Sequence, residues 1–272
     1  MLGIEKFTKI LKLRNQSGKI KKNPHKFHKP NNIERDIKIY VFHHKAADVP
    51  FSPLFQSKGV GEASPKTEKN SINHLNKYFC ELTGIYEIWK NHSWDIVGTA
   101  HYRRYLNLIP LSDPAKQGKI KLTKSQAFAL LKDPDQGTLA KAILEQYPII
   151  VPRANYQNPS LGAVYDHPGW ETFRFFLDKK YGRYNHCLDF DKRGFWGNIF
   201  IMRHDIFDTY CSELFPIIFS CFKEIGIIKK SEKYRYCPSR YPGYLAERFL
   251  TAFINAHQLR YYEADLIEIK GS

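Results

Sequence analysis

Trp94–Leu106 reads WDIVGTAHYRRYL. Ile96, Val97, Gly98, Thr99 and Ala100 form a short, largely apolar run without helical periodicity, as a buried strand requires. The run ends abruptly in His101, Tyr102, Arg103 and Arg104. In an α/β sheet, ligands sit at the carboxyl ends of strands. Two arginines there suggest an anion, phosphate first, because the guanidinium fork matches its oxygens. The competing reading makes them surface residues paired with acids. Neighbours on an extended segment point opposite ways, so Arg103 and Arg104 face one ligand only if the chain has turned.

Upstream, Ser71–Trp89 repeats apolar residues every three or four positions and predicts one amphipathic helix, with Ser71 as its N-cap. Asn73, Asn76, Lys77 and Glu81 fall on its solvated faces. Ile37–His43 (IKIYVFH) is a strand ending in His43, His44 and Lys45, the way many nucleotide-binding α/β domains open. Residues 46–69, with three prolines and two glycines, read as a long loop. Downstream, residues 111–140 read as an insertion and Tyr147–Pro152 as a short buried strand. Asp166 and His167 precede Pro168 at the first turn of a helix reaching Tyr181. Gly194–Asn198 leads into a strand over Ile199–Met202, and helices follow from Asp205 to Phe222 and from Tyr244 to His257. Leu259–Ile269 is extended. Strands alternating with helices imply an α/β fold with a mainly parallel sheet.

The composition is globular: 272 residues, 43% hydrophobic and 15% aromatic, enough for one large domain. Five cysteines without a CxxC pair argue against a disulfide framework or zinc knuckle and for a reduced cytoplasmic protein. No apolar run approaches the ~18 residues of a membrane span, and the N-terminus lacks the apolar core of a signal peptide. Of the formal charge of +15, residues 1–38 carry eleven Lys or Arg against three acids. Within this leader, Ile4, Phe7, Ile10 and Leu11 alternate with lysines at helical spacing. Two readings stand side by side: a helix lying on an anionic membrane, or one packed on protein. Residues 15–35 read as a linker.

No GxGxxG, Walker A loop or GxSxG elbow occurs, which removes the usual dinucleotide, P-loop and hydrolase readings. Asp189-Phe190-Asp191 has the spacing by which a turn presents two carboxylates to a divalent metal, a weak signal alone. Glu247 sits among Leu245, Ala246, Phe249 and Leu250. A carboxylate so placed is either salt-bridged, Arg248 being the nearest base, or held in a cleft ready to accept a proton.

Cys80–Leu106 (CELTGIYEIWKNHSWDIVGTAHYRRYL) resembles the signature of a bacterial family of capsular or exopolysaccharide glycosyltransferases, a former domain of unknown function with a CELT…IWKN…HYRRY core. Gly197–Met202, Tyr210–Pro216 and Arg240–Arg248 resemble its later motifs, so the likeness spans roughly residues 37–265. The resemblance implies a GT-A-like, Rossmann-related domain over residues 36–272, behind a leader of residues 1–35. It implies sugar transfer, galactose or galactofuranose being plausible, from a nucleotide-sugar donor, UDP-linked first. The acceptor would be a growing capsular, lipopolysaccharide or other surface glycan, lipid-linked or free, at the inner face of the inner membrane. Residues 1–30 would touch the anionic membrane surface, and no nucleic acid is expected as partner.

Where GT-A enzymes carry a metal-binding DxD after this strand, the chain carries His101-Tyr102-Arg103-Arg104. Guanidinium groups can offset a leaving diphosphate in place of a metal. The expected site is therefore Glu247 as base with Asp166 in reserve, His101 as hydrogen-bonding partner, and His43, Lys45, Tyr102, Arg103, Arg104, Asn198 and Arg248 on the donor. No cofactor is certain; manganese or magnesium, with Asp189 and Asp191 as reserve ligands, is not favoured. The rival functions are a non-catalytic glycan- or nucleic-acid-binding protein and a phosphate-ester hydrolase using His101 with the arginines.

Overall fold

A computed structural model of the chain describes residues 35–65, 70–110, 118–229 and 237–270. The leader and the amphipathic pattern of residues 2–14 lie outside these residues. The strand expected over Ile37–His43 is β1, and β2 (Phe55–Gly59) runs parallel beside it, inside the stretch read as loop. A short helix α1 (Asn76–Phe79) and a longer α2 (Leu82–Asn91) lead to β3 (Ile96–His101), parallel to β1 on its other edge. After a two-residue turn, β4 (Arg104–Asn107) folds back antiparallel. Residues 118–140, within the stretch read as an insertion, supply β5 (Lys119–Leu122), α3 (Lys124–Leu131) and the first half of α4 (Asp135–Gln146).

The chain continues with β6 (Ile149–Pro152), the short β7 (Asn155–Tyr156), α5 (Trp170–Tyr181), α6 (Arg183–Phe190) and β8 (Arg193–Gly194). It closes with β9 (Phe200–Arg203), α7 (His204–Ile225), α8 (Tyr241–Ala256) and β10 (Tyr261–Ile269). Strands β7 and β8 form a small separate ribbon.

The main sheet is mixed, not mainly parallel. Parallel pairings join β1 to β2 and β3, and β10 to β5 and β6; antiparallel pairings join β3 to β4 and β9, β6 to β9, and β4 to β10. The parallel expectation fails because β4 is a hairpin return and β9 lies antiparallel between β3 and β6. At Gly98, in the middle of β3, a Cβ would come within 2.8 Å of Ile39 and 3.2 Å of Ile201, so glycine lets neighbouring side chains close over the strand.

The core gathers Ile85 and Ile88 of α2, Phe207, Tyr210, Leu214 and Ile218 of α7, and Leu245, Phe249 and Phe253 of α8 against Tyr40, Val97 and Phe200 of the sheet. The single helix expected over Ser71–Trp89 is interrupted. Residues 73–75 form a 3₁₀ turn, α1 ends at Cys80 with φ 52° and ψ −131°, and α2 restarts at Leu82. Ser71 Oγ accepts from Asn73 N (3.0 Å), but the N-cap of the turn is Ile72, so Ser71 is not the N-cap expected of it. Asn73 exchanges hydrogen bonds with the Gly61 backbone instead of facing solvent.

Candidate active site

Phe42 and His101 are register partners at the carboxyl ends of the parallel strands β1 and β3. A cavity of about 300 Å³ opens there, lined by His43, His44, Asn76, Lys77, Cys80, Glu81, His101 and Arg240 among others. This is where an open α/β sheet receives ligands. Its cations come from separate elements: Lys77 from α1 and Arg240 from the 3₁₀ turn Pro238–Arg240 ahead of α8. Arg240 Nε donates to Cys80 Sγ at 2.8 Å. Burial, reinforced by the charge of Glu81, pushes that thiol up to about 12 against the opposing pull of Arg240, so sulfur here is a protonated packing group.

His101 is neutral. Burial first, then the charges of Arg103 and Arg104, push its pKa down to about 3. Its Nδ1 is buried and meets no hydrogen-bond partner among the described residues. His43 is oriented by its neighbours: Nδ1 donates to Lys45 O at 2.9 Å, and Nε2 meets Ser57 Oγ at 2.8 Å. Lys45 contributes that carbonyl while its side chain is exposed.

Beyond the cavity wall, the turn before β9 holds two carboxylates. Gly197 (φ 89°) and Asn198 (φ 50°) adopt left-handed conformations. Gly197 N–H donates to Glu247 Oε1 and Asn198 Nδ2 donates to Glu81 Oε1, each at 2.7 Å. Thr99 of β3 anchors the turn, its Oγ1 donating to Asn198 O at 2.8 Å and accepting from Phe200 N at 3.1 Å. Burial, then the charge of Glu81, push the Glu247 carboxyl up to about 7, against the Gly197 bond and the charges of Arg248 and Arg104. A carboxylate with that proton affinity is matched to take a proton near neutral pH.

Several expected residues fall elsewhere. Arg103 lies over the Tyr102 ring (5.1 Å) and Arg104 pairs with Glu268 (3.3 Å); neither lines the cavity, although both bear electrostatically on His101. Tyr102 is buried, its ring edge-on to His44. Arg248 is buried between the Tyr165 and Trp196 rings (4.5 and 5.0 Å), and its Nη1 caps Tyr244 O. Asp166 is exposed, 3.4 Å from the His167 Nε2 that it flanks. The sequence reading missed Glu81, Lys77 and Arg240. Arg240 and Glu81 stood inside the quoted motifs, but only the helix break at Cys80 and the return of α8 bring them together.

Asp189 and Asp191 are each paired with an arginine. Asp189 accepts from Arg174 Nη2 at 2.9 Å. Asp191 accepts from Arg193 and from Asn255 Nδ2 at 2.5 Å; burial alone would raise its carboxyl, and these bonds turn the shift downward. Among the described residues, no group of three or more His, Cys, Asp or Glu could hold a metal ion.

The fold is α/β, with a cavity at the strand ends. Its sheet and helices are similar to those of the WbbM bifunctional glycosyltransferase in its apo structure, at TM-score 0.70 and 21% identity over 87% of this chain. The chain spans 46% of that protein. The chain belongs to the family described as a domain of unknown function, DUF4422, whose model matches residues 38–258. No curated protein matches it.

Proposed function

We propose that the chain is a glycosyltransferase that moves a sugar from a nucleotide-sugar donor to a glycan acceptor. The observation that carries this reading is the adjacency of a cation-lined cavity at the strand ends to a half-buried carboxyl, held by Gly197 N–H and raised to about 7. The fold likeness to a glycosyltransferase supports it. The donor diphosphate lies in the cavity against Arg240 and Lys77, with the imidazole of His101 hydrogen-bonding to it. Glu247 takes the proton of the acceptor hydroxyl as that oxygen bonds to the anomeric carbon. The bond from the anomeric carbon to the diphosphate oxygen breaks, and the guanidinium and ammonium groups offset the charge that leaves. Such a displacement inverts the anomeric centre and needs no metal.

UDP-galactose, in pyranose or furanose form, is the first donor to test, and a capsular, lipopolysaccharide or other surface glycan the first acceptor. Residues 1–30 would hold the enzyme on an anionic membrane at the cytoplasmic face. The described residues contain no helix long and apolar enough to cross one. The test is transfer from radiolabelled UDP-sugars to a glycan acceptor by wild type, Glu247→Gln and Arg240→Ala. Loss of about 100-fold or more in Glu247→Gln is the result expected of a general base; turnover within a few fold of wild type would refute that role.

A further inference from the structure

Glu81 enters the site through a break in a helix. Cys80 has a positive φ that is costly for a residue bearing a Cβ. Asn76 holds the break open, its Nδ2 donating to Cys80 O at 2.8 Å and to Thr83 Oγ1 at 2.9 Å. The break brings Glu81 to the cavity wall and to the Gly197–Asn198 turn, where it and Glu247 are bound by consecutive residues. Asn198 is itself over-determined: its carbonyl accepts from Thr99 and its amide also reaches Gly243 O at 3.4 Å. A strained turn fixed from three sides to hold two like-charged groups together serves no packing purpose that apolar residues would not serve better.

We propose that Glu81 is a positioning residue for Glu247: the two carboxyls, tied to one turn, form a unit in which Glu81 keeps Glu247 oriented and basic enough to take a proton at neutral pH. This rests on the reading of Glu247 as the base. The other charged or titratable groups around Glu247 are Arg104 from β4, Arg248 and Tyr244 on α8, Tyr210 on α7 and Cys80 at the helix break. Arg104 and Arg248 favour the ionised carboxylate, whereas Glu81 opposes it. Glu81 is thus the acid whose charge acts on Glu247 against those two arginines.

Glu81→Gln keeps an oxygen to accept from Asn198 but removes the charge, while Glu81→Asp keeps the charge on a shorter arm. The Glu247 carboxyl is followed by carbon-13 NMR titration of the full chain without substrate, its resonance assigned by its loss in Glu247→Gln. In Glu81→Gln the midpoint should fall, and the acid limb of the transfer rate should move to lower pH with it. Wild type at pH 6, one unit below its midpoint, should run at about a tenth of its plateau; Glu81→Gln should run several-fold closer to its own, and Glu81→Asp should restore most of the wild-type profile. An unmoved Glu247 titration in folded Glu81→Gln overturns the proposal, whatever the transfer assay shows. A titration that moves while the acid limb stays fixed supports the coupling and overturns Glu247 as base, so the two readings fail separately. Should Glu81→Gln not fold, Glu81→Ala, which also removes the charge, must lower the Glu247 midpoint or the proposal falls.

Discussion

Replacing Glu247 by glutamine should stabilise the protein above pH 7 while abolishing transfer. Folding raises this carboxyl from an ordinary 4.5 to about 7, chiefly by burial. Each pKa unit corresponds to about 1.4 kcal/mol, so the ionised form costs the folded state about 3 kcal/mol. The sign follows from proton counting. Between pH 4.5 and 7 the folded state holds a proton that the unfolded chain has released, so stability falls as pH rises through this window and levels off above it. Glutamine resembles the protonated carboxyl and keeps an oxygen for Gly197 N–H, so the variant lacks this slope. The difference between variant and wild type should therefore grow from near zero at pH 4 to about 3 kcal/mol at pH 8. For a chain of this size that is a rise of roughly 5–10 °C in the melting temperature at pH 8. Urea unfolding of both proteins at four pH values reads it directly. A difference that is constant with pH, or of opposite sign at pH 8, would refute the assignment of a raised carboxyl to Glu247.

Other expectations concern the frame around the site. Lys58→Met leaves Glu87 buried without its 2.9 Å partner and should cost about 3 kcal/mol or more in urea unfolding. At Gly84 a Cβ would lie 2.3 Å from the Phe42 ring on the cavity wall, so Gly84→Ala should cost about 1–3 kcal/mol and weaken nucleotide binding. Asp191→Ala removes the carboxylate partner of Arg193, leaving it the side chains of Tyr261 and Asn255, and should lower stability in urea unfolding; transfer by wild type should survive EDTA. Activity abolished by EDTA and restored by manganese would reinstate a metal and remove the purely cationic account of the leaving group.

The sequence made the strands of the site legible and its geometry only partly so. Ile37–His43 and Ile96–His101 could be read because buried strands need continuous apolar runs bounded by polar tips. Glu247 stood out as a carboxylate among Leu245, Ala246, Phe249 and Leu250, but the sequence left a salt bridge and a cleft position open, and the bond from Gly197 N–H could not be read from it. Arg103 and Arg104 drew attention as a local pair, yet the turn after His101 sends one over Tyr102 and the other to Glu268. The cations of the cavity, Lys77 and Arg240, are far apart in sequence and meet only through tertiary contact. Glu81 was hidden for a related reason. Helical periodicity runs unbroken through Ser71–Trp89, and the break at Cys80 is imposed by Asn76 and Arg240, not by a glycine or proline that a reader could see. The hairpin return of β4 and the antiparallel insertion of β9 are long-range pairings that periodicity does not report.

The most direct test of the central claim is calorimetric titration of the full chain with UDP, GDP, CMP and their sugar conjugates, with and without manganese. The account predicts saturable binding of one nucleotide, UDP first, without manganese, weakened about tenfold or more by Arg240→Ala and less by Arg103→Ala. Binding that ignores Arg240, or no nucleotide binding beside tight, salt-sensitive binding of RNA or an acidic glycan, would contradict it.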